Sequence, residues 1–281
     1  MPLAQPGGVR LVPDDRGADN APVMPDRIEV EPEPTPPALP GEVIVRASVD
    51  AVVDAVAADL LGQAVSCARA FGDFHLALSG GSTPEPLYRR LMYDPRLRSM
   101  PWSRTHLWIV DERRVPFDDE RSNFKHIREL IVEHSDIPRS QVHPIHATDE
   151  NAADAYEREL QSELEWRERG HDRLDFVLLG VGADGHTASL FPHSPALHAN
   201  GRLVALNSGP TVTPPDRVTM TWRLLNASRL VAVMVTGAGK RGILTRLVHE
   251  RLSPEDAPIL GVRPLAGSLR WYIDHEACPT A

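Results

Sequence analysis

Cysteine is nearly absent from this chain, with only Cys67 and Cys278 among 281 residues. The two stand far apart and form no C-x-x-C pair, which argues against both a disulfide framework and a cysteine zinc site and leaves reduced thiols as the expectation. Lysine is as scarce: Lys125 and Lys240 are the only two among 30 basic residues, so arginine is the usual cation here and Lys240 stands out. Long apolar runs are also lacking. Stretches such as Leu230–Val235 fall well below the roughly 18–20 residues that span a bilayer, so no membrane association is expected. The N-terminus carries acids and prolines where a secretory signal needs a basic start and an apolar run, which makes the cytoplasm the default compartment. Positive charge is in deficit as well. With 39 acidic against 30 basic residues the formal net charge is -9, which disfavours a phosphate-backbone binder, so no nucleic-acid partner is expected.

What is present is the composition of an ordinary globular protein, 42% hydrophobic and 25% charged. The length suits one large domain with a flexible end. Residues 1–40 are Pro-rich, culminating in Glu31-Pro32-Glu33-Pro34-Thr35-Pro36-Pro37, and show no helical or strand periodicity; they read as a mostly disordered or loosely docked tail, with the folded domain over 41–281. From Val43 onward short apolar runs alternate with amphipathic helical patterns, which predicts an α/β, Rossmann-like, doubly wound and mainly parallel sheet with flanking helices. Strands are predicted at Val43–Arg46, Phe74–Ser79, Thr105–Asp111, Val142–Pro144, Leu174–Gly180, Leu203–Leu206, Arg217–Thr221, Leu230–Thr236 and Arg270–Asp274. The clearest helices are Val49–Ala70, Glu85–Met92, Asn123–Glu133, Ala152–Arg169 and Gly239–Glu250.

Ligands of open α/β sheets sit beyond the carboxyl ends of strands, so the loops there carry the functional reading. The first runs Ser79-Gly80-Gly81-Ser82-Thr83-Pro84 into a helix. Its glycines allow close backbone approach, Ser79, Ser82 and Thr83 add hydroxyls, and the helix N-terminus favours an anion, so it reads as a phosphate cradle or as a plain capped turn. It lacks the G-x-x-x-x-G-K-[ST] form of a nucleotide loop. The second, Asp111-Glu112-Arg113-Arg114, places a guanidinium suited to phosphate next to an acid; a solvated charge cluster is the alternative. The third, Gly180-Val181-Gly182-Ala183-Asp184-Gly185-His186, sets a histidine beside a carboxylate in a glycine-rich turn. His186 suits a general base, though such a histidine can equally be structural, and the dinucleotide pattern G-x-G-x-x-G fails at its end. The fourth, Thr236-Gly237-Ala238-Gly239-Lys240, offers a lysine to an anion. No G-x-S-x-G elbow marks a serine hydrolase.

Together these four loops resemble the 6-phosphogluconolactonase family, itself similar to the glucosamine-6-phosphate deaminases. The resemblance runs from Val43 to the C-terminal segment and includes Thr187-Ala188-Ser189-Leu190-Phe191-Pro192. It implies hydrolysis of 6-phospho-D-glucono-1,5-lactone in the oxidative pentose phosphate pathway, with His186 as catalytic base and Asp184 beside it. It further implies a sugar-phosphate site formed by Ser79, Gly80, Gly81, Ser82, Thr83, Asp111, Arg113 and Lys240, to which Arg217 is added. The deaminase pattern has a glutamate five residues after the histidine, where this chain has Phe191, and a tyrosine where it has Arg113. The lactonase is therefore preferred, and a noncatalytic sugar-phosphate sensor is disfavoured by the presence of His186. A small-molecule substrate, no metal, no cofactor and a monomer are expected.

Overall fold

The computed structural model describes residues 9–10, 29–30, 35–165 and 172–279. In chain order the strands are β1 (Val9–Arg10), β2 (Glu29–Val30), β3 (Glu42–Arg46), β4 (Phe74–Leu78), β5 (Thr105–Ile109) and β6 (Asp111–Arg113). They continue with β7 (Val142–His143), β8 (Phe176–Leu179), β9 (Val204–Ser208), β10 (Asp216–Met220), β11 (Leu230–Val235) and β12 (Ser268–Asp274). The helices are α1 (Val49–Phe71), α2 (Glu85–Tyr93), α3 (Asn123–Leu130), α4 (Ala152–Leu164), α5 (Trp222–Ala227) and α6 (Arg241–His249).

Seven strands form one sheet in the order β3-β12-β11-β8-β4-β5-β7, every neighbouring pair parallel. Strands β4, β8 and β11 are buried along their whole length, as a parallel sheet covered on both faces requires. Helix α1 shows how the sequence sets one cover. The Ser48 hydroxyl accepts from the Ala51 amide, Gly72 closes the helix at φ 94°, and Val52, Val53, Val56, Leu60 and Ala64 form its buried stripe. By length and composition alone α1 could cross a bilayer, although its dispersed polar residues break it into short apolar runs. Its buried stripe belongs to the main core, with Leu76, Val231 and Trp271.

Two predicted strands belong elsewhere. β10 pairs antiparallel with both β9 and β6 in a second, three-stranded sheet, order β6-β10-β9. β9 is only partly covered, with Val204 and Asn207 buried and Leu206 and Ser208 exposed, unlike the wholly buried central strands of the large sheet. The predicted strand Thr105–Asp111 is split by Val110, whose N–H donates to Leu78 O at 3.0 Å in the large sheet while its carbonyl accepts from Met220 N–H at 2.9 Å in the small one. The predicted helix Asn123–Glu133 gives way after Leu130 to a 3-10 turn at Val132–His134. α4 stops at Leu164, and residues 166–169 of that prediction lie outside the described residues. Gly239–Glu250 opens as a 3-10 turn, Ala238–Lys240, before α6.

Most of the Pro-rich stretch lies outside the described residues, but β1 and β2 pair antiparallel within it. Pro37 and Leu39 are already buried, and Trp271 Nε1 donates to Pro40 O at 2.8 Å.

The chain winds outward in both directions from β4 and β8, so the topological switch lies between them. Their ladder is short, pairing only Leu76 with Phe176 and Ala77 with Val177. Asp175, fully buried, bridges its amino end by accepting from His75 N–H at 2.9 Å and from Arg229 Nε at 3.2 Å. Removing a buried charge partner of this kind costs about 3 kcal/mol. Asp175→Ala is accordingly expected to lower stability by about that amount in urea unfolding, and an unchanged midpoint would show that Asp175 does not hold the half-sheets together.

Candidate active site

Beyond the carboxyl ends of β4 and β8 the strands part, and a cleft of about 480 Å³ opens there. All four loops singled out from the sequence reach it. The loop after β4 turns on Gly81 at φ 95°, a left-handed conformation in which glycine is unstrained. Gly80 has no room for a side chain, since a Cβ there would stand 1.9 Å from Asn123 Oδ1. Ser82 and Thr83 line the cleft. Ser79 lines it too, but not as the free donor expected: its hydroxyl donates to Leu178 O at 2.8 Å, spanning the gap between β4 and β8. Its carbonyl accepts from Tyr88 OH at 2.5 Å.

Glu112 is buried and organises the loop after β5. Its carboxylate accepts from the amides of Arg113, Asn123 and Phe124 at 2.7–2.8 Å and from Ser122 Oγ at 3.0 Å at the N-terminus of α3; burial raises its pKa and these hydrogen bonds oppose the rise. Asp111 takes a hydrogen bond from Ser189 Oγ at 2.6 Å and thereby ties this loop to the histidine loop. Arg114 turns aside to donate to Ala147 O, while Arg113 lines the cleft and donates to Arg121 O. Across the small sheet Arg113 stands directly opposite Arg217. Like charges in cross-strand register repel. Burial, then the Arg113 charge, draws the Arg217 guanidinium below its usual pKa, with Asp111 and Glu112 opposing. Arg217 donates to the carbonyls of Pro214 and Asp216, and its guanidinium lies 6.0 Å from the centre of the Phe191 ring.

In the third loop Gly185, at φ 90°, permits the tight turn that brings His186 back over Gly182. A Cβ on Gly182 would meet His186 Nδ1 at 2.1 Å. His186 Nδ1 lies 2.5 Å from Asp184 Oδ1, and the His186 amide donates to the same oxygen at 3.1 Å. Burial acts to raise the Asp184 pKa, but the hydrogen bonds and charge of His186 outweigh it, and the carboxyl ends below its usual value. An ionised Asp184 only accepts, so the proton of neutral His186 sits on Nδ1 and Nε2 keeps its lone pair. Asp184 supports the ring from behind and is the one predicted site residue that does not line the cleft. Next along, Ala188 is held at φ 51°, a sparsely populated conformation for alanine. Ser189 on one side of it is anchored by Asp111, Thr219 Oγ1 and Asn207 Nδ2.

Lys240 enters from the fourth loop and donates from Nζ to Val181 O at 2.7 Å. Burial lowers its pKa, with the Asp184 charge opposing. That loop is fixed by Gly237, at φ 86°, whose amide donates to Asp274 at 2.9–3.0 Å. The cleft thus has one base with an open nitrogen and three cations, Arg113, Arg217 and Lys240, in a chain of net charge -9. Sequence reasoning passed over Asn123, read as an ordinary helix start. It donates from Nδ2 to Asp111 O at 2.7 Å, lies against Gly80 and lines the cleft. Val212, Thr213 and the Asn207 anchor were also missed, since they come from the small sheet and its loop, which local motifs do not announce. Among the described residues, neither cluster able to ligate a metal includes a residue of this cleft.

The sequence model for glucosamine-6-phosphate isomerases/6-phosphogluconolactonase matches residues 47–271. The chain belongs to that family. It is 39% identical over 242 residues to the human GDH/6PGL endoplasmic bifunctional protein, covering 83% of this chain but only 30% of the human one. To a 6-phosphogluconolactonase of Synechocystis it is 37% identical over 210 residues, 73% of this chain and 84% of that one. The solved 6-phosphogluconolactonase of Thermotoga maritima superposes with a TM-score of 0.70 at 29% identity, covering 83% of this chain and 99% of that one. Names of relatives include both endoplasmic and chloroplastic proteins, so family membership does not select a compartment.

The opposed arginines generate a prediction of their own. Sulfate or phosphate should relieve their repulsion and raise the thermal midpoint, by about 2.7 kcal/mol of stability at ~100 times the Kd. In Arg217→Met the anion-dependent rise should largely vanish; a rise equal to that of the wild type would place the anion elsewhere.

Proposed function

We propose that this protein hydrolyses 6-phospho-D-glucono-1,5-lactone to 6-phospho-D-gluconate, with His186 as the general base. The observation that carries the reading is His186, anchored by Asp184 at Nδ1 and lining the same cleft as Arg113, Arg217 and Lys240. The relatives named 6-phosphogluconolactonase support it.

The three cations, with the Gly80–Thr83 backbone, hold the substrate phosphate. Binding at this remote group orients the lactone carbonyl toward the histidine and converts attack by water into an effectively unimolecular step. Water adds to C1 while its proton passes to His186 Nε2, and Asp184 stabilises the imidazolium that forms. Collapse of the tetrahedral oxyanion breaks the bond from C1 to the ring oxygen, which takes the proton back from His186. No covalent enzyme intermediate is involved. Asp111, bonded to Ser189, positions the turn beside the base.

Phe191 separates this chemistry from deamination. Its ring centre lies 5.0 Å from that of His186, five residues further on, where the deaminase relay requires a carboxylate. The purified protein should therefore accelerate lactone disappearance above the spontaneous rate and release no ammonia from glucosamine 6-phosphate. The reverse pattern would overturn the assignment.

His186→Asn should reduce turnover per folded molecule by about 10²–10⁴-fold while product affinity largely persists. Near-native turnover in a stably folded variant would remove His186 as the base.

A further inference from the structure

A second concentration of titratable groups lies toward the amino ends of β4 and β5, away from the cleft. His75 on β4, His106 and Trp108 on β5 and His143 on β7 stack in a ladder. The ring centres of His75 and His106 are 4.6 Å apart, those of His106 and His143 5.2 Å, and those of Trp108 and His143 3.8 Å, all near parallel. Three histidines held this way on a sheet face are more than a hydrophobic core needs, and the proposed reaction uses none of them.

Hydrogen bonding sorts their nitrogens. Trp108 Nε1 donates to His75 Nδ1 at 3.0 Å, and an indole N–H is a donor only. The His75 proton is therefore on Nε2, facing Asp73 Oδ2 at 3.2 Å, and this ring has no lone pair to offer in that direction. His143 differs. Its Nδ1 is 2.6 Å from Glu159 Oε1, so in the neutral ring Nδ1 carries the proton and Nε2 holds the lone pair. That Nε2 lies 3.0 Å from His106 Nδ1, which is itself 3.5 Å from Glu163 Oε2.

We propose that His106 Nδ1, His143 Nε2 and the Glu163 carboxylate form a binding site for a divalent transition-metal ion of the zinc class. The three donor atoms all lie within 4.8 Å of one another. Ligands of a tetrahedral ion at ~2.0–2.1 Å stand about 3.3 Å apart, close to the 3.0 and 3.5 Å separations here. Two imidazoles and a carboxylate suit zinc, and solvent completes the coordination on the side where Glu163 is partly exposed. The Glu159 carboxylate on His143 Nδ1 is the outer partner that fixes the tautomer and strengthens a metal-bound histidine. His75 and Trp108 back the two rings by stacking. A tilt of the two rings out of their present N–H···N line converges the lone pairs on the ion, and the shared proton moves to His106 Nε2. Glu159 and Glu163 project from α4, so the ion clamps this helix to β5 and β7 and contributes to stability rather than to the chemistry of the cleft.

The test uses full-length protein stripped with chelator and titrated with Co²⁺, then with Zn²⁺ as competitor. One Co²⁺ per chain with the intense visible bands of a four-coordinate ion, displaced by Zn²⁺, is expected, together with a zinc absorption edge showing two imidazole ligands. Glu163→Gln and Glu159→Gln alter partly exposed side chains and should fold. Each is expected to weaken binding about 10–100-fold, whereas His186→Asn in the cleft should bind as the wild type does. Absence of stoichiometric binding would overturn the proposal. So would affinities in both glutamate variants equal to the wild type, or a shift caused by His186→Asn instead, since the metal would then lie elsewhere.

Discussion

The site depends on the two hydrogen bonds of one residue, Val110. Its amide completes the parallel ladder from Leu78 and its carbonyl receives the Met220 amide of the small sheet. The chain leaves one sheet and enters the other without a loop. Asp111 and Arg113 are carried over the crevice by this step, and antiparallel register then delivers Arg217 to face Arg113. Glu112, between them, secures the arrangement by gathering three amides and a hydroxyl at the start of α3. Without Val110 in both sheets, the guanidiniums and the imidazole would belong to separate regions of the molecule.

The four loops were legible in the sequence because each is local: a strand, a glycine-rich turn, a helix start. Of the ten residues chosen from them nine line the cleft, as does Arg217 from outside these loops, and the tenth, Asp184, supports His186. What was not legible arises from pairing between distant segments. Ser79 looked like a phosphate donor because serine beside glycine usually offers its hydroxyl; only the parting of β4 and β8 shows why that hydroxyl is committed to Leu178. The run Thr105–Asp111 reads as one strand because apolar residues continue through Val110, and nothing within it reveals a change of sheet. Asn123 resembles any residue after a capping serine, and its contact with Gly80 depends on a fold that brings α3 beside the first loop.

Charge gives a related lesson. A net -9 is a property of the whole surface, whereas binding responds to the field in the cleft. There Arg113, Arg217 and Lys240 gather while Asp111 and Asp184 are engaged by Ser189 and His186. The two carboxylates stay charged but face their hydrogen-bond donors, and the three cations outnumber them, which sets the local sign. The burial that lowers the pKa of Lys240 and Arg217 also strengthens whatever charge contact they make.

The crevice between β4 and β8 is stitched at both ends, by Asp175 at the amino side and by Ser79 at the carboxyl side. Its floor therefore does not widen by hinging of the half-sheets, as clefts between separate lobes do. Entry and departure of a ligand fall to the rim, to Val212 and Thr213 and the turn around Ala188. The conformational entropy of assembling the receptor is lost once, when the chain folds, and not again at each turnover. A receptor already assembled in this way has little closure on which to spend binding energy, in contrast to clefts that shut by domain motion.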